Sequence, residues 1–241
     1  MCIRDSIYVK GWLTGSDDVQ KTDVHYRSMD GEGMFNWRFV FPIEYIAPEK
    51  KMVVKVKEHF FSLDKTERRL PVRLNLQIWD NDLLSADDFL GNVEFDLHNM
   101  PTPAKNKSRC RLRILDDDGQ HCKRINLFQQ KHIKGWLPVY QENFTGERGR
   151  EQRGNRTLTG KLEVEFEILT EEEEKLRPAG KARDDPNQNP ILEKPNRPAL
   201  SFAWFANPFK TFKYILWRHH KCKIIFGLVF LFVIVSILCL L

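Results

Sequence analysis

The 241-residue sequence has few cysteines and none of the common catalytic motifs. Its cysteines are Cys2, Cys110, Cys122, Cys222 and Cys239. They form no C-x-x-C pair and show no zinc-ligand spacing, which favours a reduced, cytosolic environment. No G-x-S-x-G, H-E-x-x-H or G-x-x-x-x-G-K pattern occurs, and the histidines are scattered. We therefore expect a protein that is not an enzyme.

The first residues also lack the features of a targeting signal. Residues 1–6 contain no hydrophobic core, so they do not form a signal peptide. Strand-like sequence begins at once at Ile7, and we interpret residues 1–6 as a non-native start of a fragment.

Positive charge is concentrated in one segment of the chain. The formal net charge is +5, and residues 201–223 contribute all of it, because they hold five basic residues and no acidic one. Residues 224–241 carry no charge, so residues 1–200 are balanced. A basic segment beside an apolar one favours an anionic membrane surface over nucleic acid as the partner.

The uncharged residues 224–241 predict one C-terminal transmembrane helix. Eighteen helical residues span about 27 Å, close to the roughly 30 Å hydrocarbon core. A buried soluble helix is the alternative, but the segment has no amphipathic face. Residues 201–223 mix aromatic and basic side chains, which is typical of a juxtamembrane segment at the bilayer interface. The basic flank predicts a single-pass protein, in a vesicle or plasma membrane, whose preceding domain is cytosolic.

Residues 7–170 predict an all-β domain. Strands are indicated by alternating apolar residues, most clearly over 161–169, and no helical periodicity is present. Residues 171–200 predict a short acidic helix capped by Thr170, then a proline-rich, extended linker over 177–198.

Acidic residues flank one predicted loop. Residues 74–95 read LNLQIWDNDLLSADDFLGNVEF, with Asp80 and Asp82 where one strand ends and Asp88 where the next begins. Carboxylates that converge repel one another unless a cation lies between them, and Ca²⁺ takes six to eight oxygen ligands. The pattern predicts a calcium-binding loop, and an ordinary polar turn is the alternative.

This stretch resembles the third calcium-binding loop of a C2 domain. Residues 22–26, TDVHY, resemble the first-loop Ser-Asp-Pro-Tyr signature of that family, and residues 36–41, NWRFVF, resemble one of its strands. Residues 31–39, GEGMFNWRF, and 177–180, RPAG, are similar to the ferlins of the dysferlin and myoferlin branch, as is the segment 195–217. The resemblance implies an antiparallel eight-stranded C2 β-sandwich with loop insertions.

The resemblance also implies the calcium ligands, which are Asp17, Asp23, Asp80, Asp82 and Asp88. Asp18 is an alternative to Asp17. In such domains bound Ca²⁺ changes the charge of the loops and attracts phosphatidylserine.

Four further residues are predicted to contact the membrane. Leu83 and Leu84 lie between the acidic residues and would enter the bilayer, with packing in a small core as the alternative. Lys55 and Lys57 resemble C2 lysines that bind phosphoinositide headgroups, although a solvated strand face gives the same pattern.

For function, the resemblance implies calcium-dependent phospholipid binding in vesicle fusion, membrane trafficking or membrane repair, with fusion-machinery proteins as partners. The alternative is a calcium-independent, tail-anchored scaffold whose acidic loops bind a basic protein.

Overall fold

A computed structural model describes most of the β-rich part of the chain. The described residues are 6–26, 31–56, 66–82, 86–116, 123–142 and 156–197, together with Leu216, Lys223, 225–227 and 230–231. The strands are β1 (Ile7–Leu13), β2 (Gln20–Lys21), β3 (Tyr45–Ile46), β4 (Lys51–Val56), β5 (Thr66–Pro71), β6 (Arg73–Asp80), β7 (Asp88–Asp96), β8 (Met100–Pro101), β9 (Arg124–Ile125), β10 (His132–Glu142) and β11 (Arg156–Glu167). The described part thus holds eleven strands, several of two residues, and the predicted number of eight is not confirmed.

The main sheet has six strands in the order β11-β10-β7-β6-β1-β2. β6 lies at its centre and pairs antiparallel with β1 on one side and β7 on the other. β10 and β11 form a long antiparallel hairpin at one edge. Alternation explains these strands, because Leu74 and Leu76 of β6 are buried while Asn75 and Gln77, which alternate with them, are only half-buried.

A second sheet, in the order β3-β4-β5, packs on the same core. Met52 of β4 is buried in one cluster with main-sheet residues such as Leu13, Leu76 and Leu137. Two sheets with a shared apolar interior form a β-sandwich, in agreement with the predicted C2 class. The polar composition of residues 58–69 predicts an insertion, which is wrong for residues 66–69, because they belong to β5.

The segment between β7 and β10 is a packed insertion. It contains the β8–β9 pair, a 3-10 helix (Leu112–Leu115) and the short helix α1 (Leu127–Gln130). The Asn126 side chain caps α1 by accepting a hydrogen bond from the backbone N–H of Phe128 at 3.0 Å. Leu127 is only 1% exposed, so this insertion helps to close the core.

The predicted N-cap at Thr170 is confirmed. Helix α2 (Glu171–Leu176) starts with a capping box, in which Thr170 accepts from the Glu173 N–H and Glu173 accepts from the Thr170 N–H. These two bonds satisfy donors that a helix start leaves unpaired. A hydrogen bond from Lys131 is the main reason that the pKa of Glu173 is lowered to about 2.

The predicted extended linker after α2 is wrong for residues 178–195. They pack on the sandwich and belong to the same compact unit, Met1–Pro195. The reason is a set of polar contacts to residues that are distant in sequence, which local composition does not reveal.

Residues 196–241 form a second unit. Its described residues Leu216, Lys223, 225–227 and 230–231 are helical. Within the described residues, no helix has the length and apolar character needed to cross a membrane. The predicted membrane span at 224–241 and the basic-aromatic segment at 201–223 lie largely outside the described residues.

Candidate functional site

One end of the main sheet carries four acidic residues. β6 ends at Asp80 and β7 begins at Asp88, and these two residues are opposite each other in the register. Asp80 is 4% exposed and accepts a hydrogen bond from the Ser6 N–H at 3.1 Å. Asp82 follows in the loop and is half-buried, whereas Asp88 is exposed. Three of the five predicted ligands therefore lie at this acidic end.

The fourth acidic residue, Asp87, was missed by the sequence analysis. Its carboxylate accepts hydrogen bonds from the Tyr8 hydroxyl at 2.5 Å and from the Asn81 side-chain amide at 3.1 Å. The bond from Tyr8 is the largest cause that lowers the pKa of Asp87. Burial, followed by the same bond, raises the pKa of Tyr8. Asp87 is thus held as a carboxylate and fixes Tyr8 against the acidic end.

Asp17 and its alternative, Asp18, are not brought to the acidic end. β1 runs antiparallel to β6, with Ile7 opposite Asp80 and Leu13 opposite Leu74. The loop after Leu13 consequently leaves the sheet at its other end. Asp18 there accepts a hydrogen bond from the Gln20 side chain at 2.8 Å and pairs with Lys181 at 3.5 Å.

Asp23 has a different partner from the one the sequence analysis gave it. Its carboxylate accepts a hydrogen bond from the Arg183 guanidinium at 2.6 Å. The residue just before β1 adjoins the acidic end, because the Ser6 N–H donates to the Asp80 carboxylate and the Asn81 N–H donates to the Ser6 carbonyl.

The acidic end has the donor chemistry of a calcium site but does not present a formed one. Carboxylate oxygens are the ligands that Ca²⁺ prefers. Within the described ranges, however, no three His, Cys, Asp or Glu side chains are grouped closely enough to hold a metal ion. The carboxylates of Asp80 and Asp87 accept hydrogen bonds from protein donors.

Beside the acidic end, two lysines of the main sheet lie close to two aromatic rings. Tyr8 and Lys10 alternate with Ile7, Val9 and Gly11 of β1 and so lie on the other side of the sheet, where Lys10 is half-buried and Tyr8 is only 3% exposed. Tyr8 is opposite Trp79, and Lys10 is opposite Lys21 of β2. The ammonium of Lys10 lies 3.8 Å from the Trp79 ring centroid. We call these four residues the lysine–aromatic face.

The surroundings of Lys10 in the lysine–aromatic face disfavour the charged form of its side chain. Burial, and then repulsion from Lys21, lowers the pKa of Lys10. The ring contact with Trp79 offsets part of this cost. Attraction from the Asp87 carboxylate acts in the opposite direction, raising the pKa of Lys10, and an anionic ligand bound beside the two lysines would do the same.

The remaining predicted contacts are only partly described. Lys55 is exposed on β4 of the second sheet. Lys57, Leu83 and Leu84 lie outside the described residues. The alternation of Tyr8 and Lys10 was visible in the sequence, but the placement of Lys21 beside them depends on strand pairing.

The fold and site place the chain among the C2-domain proteins, and comparisons with known proteins narrow this class. Residues 58–114 match the family described as "C2 domain", and residues 151–241 match the family described as "Ferlin C-terminus". The chain is 53% identical over 233 residues to Myoferlin of Xenopus tropicalis, a match that covers 96% of this chain and 12% of that protein. Myoferlin of Homo sapiens is 52% identical over 95% of this chain and 11% of its own length.

The chain belongs to the ferlin family, in the branch of myoferlin and dysferlin. It spans only 11–12% of the length of these relatives.

Proposed function

We propose that this chain is a non-catalytic C2 module that binds anionic phospholipid membranes. The observation that carries the proposal is the lysine–aromatic face, where Lys10 lies over the Trp79 ring and Lys21 lies opposite Lys10 on the neighbouring strand. Each cation near an anionic surface contributes about 1 kcal/mol of attraction. Headgroups with several phosphates, such as phosphoinositides, would contact both ammonium groups at once.

We further propose that binding depends on calcium at the acidic end. Asp80, Asp82 and Asp88 would hold the ion, whose positive charge would lie beside the lipid headgroups when it is bound. Without it, the carboxylates repel an anionic membrane and oppose the pull of the lysines. The acidic end would then determine when the lysine–aromatic face can approach a bilayer.

In the whole protein this module would serve vesicle fusion, membrane trafficking or membrane repair. Residues 224–241 would cross one membrane, and the basic residues of 201–223 would lie at its cytosolic headgroups. The competing function is a calcium-independent scaffold that binds a basic protein.

Co-sedimentation with vesicles tests these proposals. The full chain in mild detergent is incorporated into one population of vesicles, and capture of a second, phosphatidylserine-containing population is measured with Ca²⁺ or with a chelator. We expect capture with Ca²⁺ and little with the chelator or with phosphatidylcholine alone. Equal capture with and without Ca²⁺ would contradict calcium dependence, and no capture at all would favour the scaffold.

Asp82→Asn is predicted to weaken Ca²⁺ binding at least tenfold, because it removes a charged oxygen ligand from the acidic end. Calorimetric titration of the full chain with Ca²⁺ measures the change. Asp116→Asn is the matched control, since Asp116 is exposed and shares Arg124 as a partner with Asn99, which follows the opposite end of β7. If the Asp82 variant and its control release the same heat, the assignment of Asp82 as a ligand is wrong.

A further inference from the structure

Residues 178–195, which we call the strap, run along the edge of the sandwich. The backbone of Ala182 forms a bridge with Arg38, in which the Ala182 N–H donates to the Arg38 carbonyl at 2.8 Å. The Arg38 N–H donates back to the Ala182 carbonyl at 3.3 Å. The Asn36 side chain donates to the Glu193 carbonyl at 3.2 Å. The strap therefore docks along most of its length.

Arg183 is the main side-chain anchor of the strap. Its guanidinium donates to the Asp23 carboxylate at 2.6 Å and to the Phe35 carbonyl at 2.7 Å. It also lies 4.7 Å from the centroid of the Trp37 ring. The Arg183 and Asp23 side chains are 23% and 28% exposed, so this pair is partly shielded from solvent.

Two other basic side chains also hold the strap, one from the strap itself and one from the sandwich. Lys181 pairs with Asp18 at 3.5 Å, and Arg38 of the sandwich donates to the carbonyl oxygens of Gly180 and Pro190. Burial lowers the pKa of Arg38, in keeping with its position beneath the strap. Lys181 and Arg183 are two residues apart and contact Asp18, the predicted alternative to Asp17 as a calcium ligand, and Asp23, a predicted ligand.

The strap has a shape of its own but no apolar anchor. Asn187 exchanges two hydrogen bonds of 2.9 Å with Leu192, and the Gly180 N–H donates to the Pro186 carbonyl at 2.9 Å. Not one of residues 178–195 is buried, and Ile191 is 72% exposed. Segments without buried side chains open locally at a free energy far below that of global unfolding.

We propose that the strap is a latch that an anionic membrane surface opens. Opening releases Lys181, Arg183 and Arg38 from their partners, and an anionic surface attracts each freed cation. Opening also adds 18 residues of free chain, which extend by up to about 60 Å. The latch would thus set how far the C2 module can move from the membrane that holds residues 224–241. The effect on the reach of the C2 module and the opening by a membrane both rest on the proposed membrane-binding function. The latch itself does not.

Hydrogen exchange on the full chain in detergent micelles tests the latch without any membrane. Arg183→Gln should speed exchange of the backbone amides of residues 180–192 about tenfold or more, while β6 and β10 keep their protection. Asp23→Asn should give the same result from the other side of the pair. Lys194→Gln is the matched control, because it removes one charge from an exposed position of the strap.

Two outcomes would overturn the latch. If neither Arg183→Gln nor Asp23→Asn changes exchange in the strap, the pair does not hold it. If either variant also exposes β6 and β10, the strap is a fixed part of the fold. Salt provides a measurement that needs no variant, because raising NaCl from about 0.05 M to about 0.5 M should speed exchange of the strap alone. Unchanged exchange in salt would also contradict a latch held by charge.

The membrane trigger is tested with the full chain in nanodiscs. Discs that contain phosphatidylserine should speed exchange of the strap severalfold relative to discs of phosphatidylcholine. A strap that stays protected on phosphatidylserine discs, while vesicle capture shows that the module binds this lipid, would overturn the trigger. If capture fails but salt and Arg183→Gln still open the strap, the latch stands and the proposed membrane function is the part that fails.

Discussion

Gly91→Ala is expected to lower the free energy of unfolding by about 2–6 kcal/mol. Gly91 has a φ of +153°, which side-chain-bearing residues rarely adopt. A Cβ atom there would lie 2.9 Å from the Tyr140 carbonyl oxygen and 2.3 Å from the Thr159 hydroxyl oxygen. The hydroxyl can rotate away, but the carbonyl belongs to β10 and can move only if the sheet shifts.

Gly91 lies at a bulge in β7, which brings its backbone close to the Tyr140 carbonyl of β10. Ile78 pairs with Gly91, whereas Trp79 pairs with Phe89, so one extra residue lies in β7 at this point. Such a bulge bends the strand and redirects the side chains that follow. Here it lets the Phe89 ring contact Trp79 edge-on at 5.4 Å, next to the lysine–aromatic face. Loss of stability should therefore be accompanied by a change at the candidate site.

Urea unfolding of the full chain, followed by tryptophan fluorescence, measures the effect of Gly91→Ala. Gly160→Ala in the neighbouring β11 is the matched control, because its Cβ would meet nothing closer than 3.7 Å. We expect the control to stay within about 1 kcal/mol of the parent chain. Similar midpoints and slopes for the two variants would show that the sheet accommodates a side chain at Gly91.

Local sequence patterns predicted the strands and the helix cap that depend on neighbouring residues. The patterns over 74–95 and 161–169 predicted strands where β6, β7 and β11 lie, whereas residues 36–41, which resemble a C2 strand, form only an isolated bridge at Arg38. Thr170 was identified as an N-cap because a capping box needs only residues three positions apart. β5 was missed because its sequence, TERRLP, does not alternate, and its first four residues are exposed. It is a strand because β4 offers a partner along its whole length.

The candidate site was predictable only where one loop supplies its residues. Asp80, Asp82 and Asp88 flank a single turn between neighbouring strands, so their proximity follows from the sequence. The grouping of Asp17 with them depended on the direction of β1 relative to β6, and the antiparallel register sends Asp17 to the other end.

The position of the strap could not be predicted, because it depends on polar pairs between residues that are distant in sequence. Arg183 binds a carboxylate 160 positions earlier, and proline-rich composition gives no sign of such a partner. Prolines make a free chain extended, but they also lower the entropy lost when it docks. The same composition is therefore compatible with a spacer and with a strap.

Replacing both Lys10 and Lys21 by Gln is predicted to weaken binding to phosphoinositide-containing vesicles about 30-fold. Two cations at about 1 kcal/mol each give about 2 kcal/mol, and 1.4 kcal/mol corresponds to a factor of ten. Glutamine keeps much of each apolar stem, so packing of the lysine stem on Trp79 is largely retained. The measurement is capture of such vesicles by the membrane-inserted full chain, at fixed Ca²⁺ and low salt.

Replacing Lys55 and Lys105 by Gln is the matched control for that prediction, since both are exposed and the change in net charge is the same. The control also separates two positions for the headgroup, because the sequence analysis assigned phosphoinositides to Lys55 on β4. Specific binding by the lysine–aromatic face requires the Lys10 and Lys21 variant to lose far more affinity than the control. Equal losses would mean that the membrane responds to net charge alone, and a larger loss in the control would move the headgroup to the second sheet. Loss of the cation–π interaction between Lys10 and Trp79 costs about 0.5–2 kcal/mol. The melting temperature of the Lys10 and Lys21 variant is therefore measured without lipid, which separates loss of stability from loss of binding.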